Sequence, residues 1–368
     1  MDIKTFNVEK NNEVKVDISQ LFHTEDIKLW KNIAEEIQQK FTHVFVFGVG
    51  GSSLAGQVLN RFAMPHSPVV KFIDILDTEE MEQIKFTPFA KTSFIFIAKS
   101  GETIETITQL NYCLHYIDEK KSLPKKHCFI LTMKNTPLWK FALQNNIPTI
   151  VHPDISGRFS CFTAVAIFPA LVAGVNVYEY IEGALEQSNH TIDCVFANVM
   201  LHYPIHILMP YIHKLNVFTE WYSQLTAESL SKDEKGYCVV RSIGTKDQHN
   251  QLQMFLNGQN NKTYTFIGED KDSDIVICNK VNELKIPDAK LSCLIKSGMY
   301  GVIEELSKQG KCVRVIEFAQ MTPREIGKLF ALFMQEVLHQ AQQLGVEPFT
   351  QPYVLSVKKK MLQFLQSK

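Results

Sequence analysis

The 368-residue chain lacks the features that would assign it to a membrane, a polyanion or a disulfide scaffold. No stretch approaches the ~18 uninterrupted apolar residues that a bilayer-crossing helix needs. The opening MDIKTFNVEKNNEVKVD is polar and mixed in charge, without an apolar signal core, so a cytoplasmic location is expected. Charge bias is absent as well. The 38 basic and 39 acidic residues give a formal net charge of -1, which offers nothing to a nucleic acid. No block of five like charges and no Pro- or Ser-rich tract appears, so disordered tails are not expected. The eight cysteines stand singly, with no CxxC pair and no histidine at metal-ligand spacing. Reduced thiols and no metal site follow.

With 45% hydrophobic residues, the chain can bury a core in each of two domains. From residue 43 a short apolar run, a Gly- or Ser-marked turn and a helical period recur: HVFVFGVGG, VVKFIDILD, SFIFIAKSG, HCFILTM. This alternation predicts βαβ units and a parallel sheet. The run GRFSCFTAVAIFPALVAGVNV reads as a buried helix closing a first lobe, followed by a polar stretch, EGALEQSNHT. A second α/β lobe restarts at IHILMPY. It continues through a helix from about Leu215 and the strands YCVVRS, TYTFIG and CVRVIEF. After Thr322 a long helix, a turn at Gly345 and a last helix are expected.

GVGGSSLAG, residues 48–56, follows a strand and opens a helix, a place where bare amides and hydroxyls bind anions. A plain strand-to-helix turn would look the same. A dinucleotide site would use Gly48, Gly50 and Asp74, but Ser53 stands where the third glycine belongs. An ATP loop fails for want of a closing Gly-Lys-Ser/Thr. KSGET, residues 99–103, is a second hydroxyl-rich loop of the same sheet. Ser52, Ser100 and Thr103 can therefore converge on one phosphate, although capping is also ordinary work for the last two.

Gln224 and Glu228 share a helix face, with Trp221 one turn earlier. Read alone, Glu228 and Lys232 form an i,i+4 surface ion pair. His249 closes GTKDQH near a strand end, as a structural histidine or a proton donor. Arg158 in SGRFS either caps a turn or offers a fixed cation to a developing anion.

Together these motifs resemble the phosphoglucose isomerase family, built on paired sugar-isomerase domains. GVGGSS and AKSGETIET are similar to its phosphate loops and SGRFS to its glycine-arginine signature. QLTAESLSK resembles the segment bearing its base, GTKDQH the one bearing its histidine, and PFTQPYVLSVK its closing motif. Ala98, Ser156, Thr350, Tyr353 and Leu355 depart from the usual residues. The length suggests a compact bacterial type.

The resemblance implies two doubly wound parallel α/β lobes of sugar-isomerase type, over 1–180 and 181–340, and a helical tail, 341–368, closing the site. It implies that Gly51, Ser52, Lys99, Ser100 and Thr103 hold the phosphate and that Gly157 and Arg158 flank the reacting carbons. Glu228 would move the proton between C2 and C1, and His249 with Lys358 would open the sugar ring. Gln224 and Gln351 would hold substrate or water. Neither metal nor organic cofactor is implied. A homodimer with shared sites is, because the family's histidine comes from the neighbouring subunit. Rival readings are an isomerase of related sugars such as mannose 6-phosphate, or a non-catalytic sensor of sugar phosphates.

Overall fold

The computed structural model describes residues 1–8, 13–278, 280 and 287–366. The first sheet contains β2 (His43–Phe47), β3 (Val69–Ile73), β4 (Thr92–Ile97), β5 (Cys128–Thr132) and β6 (Thr149–Val151), all parallel, in the order β3-β2-β4-β5-β6. The second contains β7 (Ile205–Pro210), β8 (Cys238–Arg241), β9 (Lys262–Glu269) and β10 (Val313–Phe318), parallel in the order β8-β7-β9-β10. Both lobes are thus doubly wound.

Alternation along the strands decides which helices each face receives. Val44 and Val46 point into a core shared by both lobes, whereas Phe45 and Phe47 enter a second core on the other face of the first sheet. The second sheet behaves alike: Leu208, Ile267 and Ile316 join the shared core, while Ile207, Met209 and Phe266 pack outward. The shared core includes α1 (Ile27–Lys40), α2 (Leu54–Asn60), α4 (Ala164–Val172), α5 (Val177–Asn189), α6 (Asn216–Leu230) and α8 (Pro323–Leu344). The outer cores receive α3 (Ile104–Glu119) on one side and α7 (Leu291–Lys308) on the other.

Two expectations are corrected. Residues 2–6, expected within the first lobe, form strand β1 (Asp2–Phe6), which pairs antiparallel with β10 and caps the second sheet. The boundary expected at 180/181 falls inside α5, which runs on through the polar stretch EGALEQSNHT to Asn189. Its Glu, Ala, Leu and Gln residues are good helix formers, and Asn176 caps the first turn. The α5 face bearing Gly183 lies on α8, where a Cβ on Gly183 would sit 2.0 Å from Arg324 O and one on Gly327 2.0 Å from Tyr180 O. The two helices cross backbone to backbone. The long helix expected after Thr322 is α8, which runs to Leu344, where Gly345 ends it with φ 65°, the left-handed turn that glycine adopts freely. Beyond it the chain turns back toward the first lobe and ends in α9 (Pro352–Gln366).

Candidate active site

The order of the first sheet reverses between β2 and β4, so a crevice opens beyond their carboxyl ends, where open α/β sheets collect ligands. The loops after Phe47 and Ile97 flank that crevice. Gly50 has φ 57°, and a Cβ there would meet Gln224 Nε2 at 2.8 Å. A Cβ on Gly51 would lie 2.2 Å from the carbonyl carbon of Gly157. The first loop, the 156–160 turn and α6 therefore touch where bare glycines permit it, and Ser160 Oγ lies 3.1 Å from Gly51 O.

Ser52 ends a short 3-10 turn and is half-buried. Thr103 is the N-cap of α3, but its side chain makes no capping bond. Ser100 Oγ accepts from Glu102 N at 3.2 Å, a local turn bond. Lys99 Nζ pairs with Asp154 at 2.8 Å, and its carbonyl accepts from Met133 N. Asp74, the ribose ligand of a dinucleotide reading, instead braces the loop from behind. Gln57 Nε2 donates to its Oδ2 at 2.7 Å and Ser53 Oγ lies at 3.4 Å.

Arg158 is fully buried. Its Nη1 donates to Glu228 Oε2 and Ser156 Oγ, both at 2.8 Å, and to Gln351 Oε1 at 2.5 Å. Its Nε donates to Ser229 Oγ at 2.9 Å, and its Nη2 to Pro348 O and Thr350 O. Burial pushes this guanidinium below its ordinary value and the adjacent Glu228 pulls it back up. An arginine starts so high that it stays charged. Glu228 Oε1 accepts from Gln224 Nε2 at 2.9 Å, and Gln224 Oε1 is buried with no partner among the described residues. Trp221 Nε1 donates to Arg158 O at 3.0 Å. The carboxylate is 26% exposed, so it is held and aimed yet reachable.

The i,i+4 ion pair expected of Glu228 and Lys232 does not form. Lys232 Nζ donates to the main-chain carbonyls of Glu228 and Ser229, in the last turn of α6 where helix carbonyls favour a cation, and of Glu347 in the tail, while the carboxylate points at Arg158. Ser156, Ser229 and the tail carbonyls were not anticipated. A serine carries little positional signal, and a main-chain oxygen none.

Gln351 joins Arg158 directly, and Phe349 packs on Phe159 with ring centroids 4.9 Å apart. His249 lies elsewhere: it is exposed on the turn after β8, and no hydrogen bond ties it to Arg158 or Glu228. Lys358 falls in α9, and its side chain, like that of Leu355, lies outside the described residues.

Two parallel α/β lobes with hydroxyl-bearing loops at the carboxyl ends of the first sheet, beside a buried cation bonded to a carboxylate, make this a sugar-isomerase-type α/β protein. The phosphoglucose isomerase family model matches residues 5–286, most of the chain, and the chain belongs to that family. A glucose-6-phosphate isomerase of Methanocaldococcus jannaschii is 28% identical over 371 residues, covering 96% of this chain and 90% of the relative. Two solved structures share the fold. A hypothetical protein from Thermus thermophilus superposes with TM-score 0.86 at 23% identity, covering 93% of this chain and 88% of that one. A glucose-6-phosphate isomerase from Chlamydia trachomatis does so with TM-score 0.79 at 18% identity, covering 93% and 73%.

Proposed function

We propose that this chain interconverts glucose 6-phosphate and fructose 6-phosphate, with Glu228 as the base that carries the proton between C2 and C1. The observation that carries this reading is the placement of the Glu228 carboxylate between Gln224 and the buried Arg158, on a helix touching the Gly50 loop. Removing a proton next to a carbonyl needs a positioned base, and the resulting enediolate needs a cation whose place is set in advance. Arg158 answers the second need, with Gly157 letting the substrate approach. Ser52, Ser100, Thr103, Gly51 and Lys99 grip the phosphate from the two loops. Gln224 and Gln351 orient substrate or water.

His249 and Lys358 act on the ring oxygen and the C1 hydroxyl, opening the sugar before the proton moves. Two observations favour delivery of His249 by a second copy: its exposure, and its lack of any bond to the Arg158 cluster. The working form is then a homodimer, and the place is the cytoplasm.

A coupled assay converting fructose 6-phosphate to glucose 6-phosphate tests the reading. The wild type turns over, and Glu228→Gln, which keeps the shape and loses the base, falls by about 10²- to 10⁴-fold. A wild type that binds the sugar phosphate without isomerising it would sink the enzyme reading in favour of a sensor.

A further inference from the structure

We propose that Lys232 is a positioning residue for the reaction, an ammonium clamp that seats tail residues 347–351 on Arg158 and so sets where that guanidinium stands. The proposal rests on the isomerase reading above. An ammonium has three donors, and here each finds a main-chain carbonyl: Glu228 O at 3.0 Å, Ser229 O at 2.9 Å, and Glu347 O. The first two belong to the last turn of α6, where helix carbonyls lack an internal partner and favour a cation. The third lies on the segment after Gly345. One side chain thus ties the end of the base-bearing helix to the tail.

The tail has a matching hold on the site. Pro348 O, Thr350 O and Gln351 Oε1 together supply three of the acceptors that restrain Arg158. Lys235 makes a parallel tie, donating to Leu344 O at 2.8 Å in the last turn of α8. Both ends of the chain segment entering the tail are therefore fastened by lysines of the α6 exit. By taking the carbonyls, Lys232 also leaves the Glu228 carboxylate to Gln224 and Arg158. The charged groups facing Lys232 are Arg158, Glu347, Glu228 and Asp233, and burial beside Arg158 pushes its ammonium below the ordinary lysine value. Its clamp consequently loosens at high pH.

The test uses Lys232→Met and Lys232→Arg in the full chain, with fructose 6-phosphate kinetics across pH and limited thermolysin cleavage of the tail. Lys232→Met lowers kcat by about 10- to 100-fold, the cost of a small misplacement, while KM stays within about threefold because the phosphate loops are untouched. Its tail is cut faster, and the alkaline fall of kcat expected of wild type is absent. Lys232→Arg recovers most of kcat and moves the alkaline fall to higher pH. Unchanged kcat in Lys232→Met overturns the proposal, as does an unchanged rate of tail cleavage or a Lys232→Arg variant no better than Lys232→Met. An inactive wild type would count against the isomerase reading instead, and the cleavage comparison would then decide the clamp alone.

Discussion

Replacing Gly51 by alanine adds one methyl group where two backbone segments meet. The new Cβ would stand 2.2 Å from the carbonyl carbon of Gly157, 2.5 Å from its oxygen and 2.6 Å from its Cα. Non-bonded carbon atoms need about 3.5 Å, so the segments must part by about 1 Å. Neither yields by rotating a side chain, because every near atom is main chain. Ser160 Oγ bridges the same two carbonyls, at 3.1 Å and 2.5 Å, and Arg158 next to Gly157 is held by bonds to Ser156, Glu228, Ser229 and the tail. The displacement therefore passes either to the glycine loop around Gly51 or to the guanidinium, and on the proposed reading both spoil the same alignment.

Overpacking of this kind costs about 1–3 kcal/mol of stability, and a 1 Å error between substrate grip and reacting groups costs about 10²-fold in kcat/KM. The assay is the coupled isomerase reaction, with a denaturation curve to confirm that the variant is folded. Gly301→Ala is the control: it lies in α7 with nothing within 4 Å of its Cβ, and gains up to about 1 kcal/mol of helix propensity without touching activity. If Gly51→Ala proves as harmless as Gly301→Ala, the close approach of the two segments is not what aligns the site.

His152 is buried, its Nδ1–H donating to Pro153 O at 2.7 Å, and burial pushes its pKa down from an ordinary 6.5 to about 4. Its neutral form is the folded form, so the stability it contributes is complete above pH 6.5 and is lost as pH falls through 4, by up to about 3 kcal/mol. Urea midpoints from pH 7 to 4 should fall more steeply for wild type than for His152→Leu; equal slopes would refute this. Gly183→Ala drives a methyl into Arg324 O at the α5–α8 crossing and should cost about 1–3 kcal/mol in a denaturant titration. Gly183→Ala and Gly327→Ala combined should cost less than the sum of each, since once the helices have parted the second methyl meets less resistance.

The strands, the two phosphate-type loops, the long final helix and its stop at Gly345 were legible because they depend on local pattern: apolar period, turn residues, caps. The boundary at 180/181 was misplaced because α5 continues through a polar stretch, and its close contact with α8 is made at Gly183, which carries no apolar signal. The strand β1 was missed because its partner, β10, lies some 300 positions away and its residues are mostly exposed.

For the site, sequence alone determined which chemistry was on offer: hydroxyls at strand ends, an arginine after a glycine, a carboxylate and an amide on one helix face. It could not decide between a surface ion pair and a poised base for Glu228. Tertiary structure replaced the surface pair with other partners, by burying Arg158 within reach of the carboxylate and by drawing Lys232 onto main-chain oxygens. The reason is physical. A residue's type fixes its donors and acceptors, but which partner it meets depends on how distant segments pack, and the partners that settle this site are largely backbone carbonyls, which every residue carries alike.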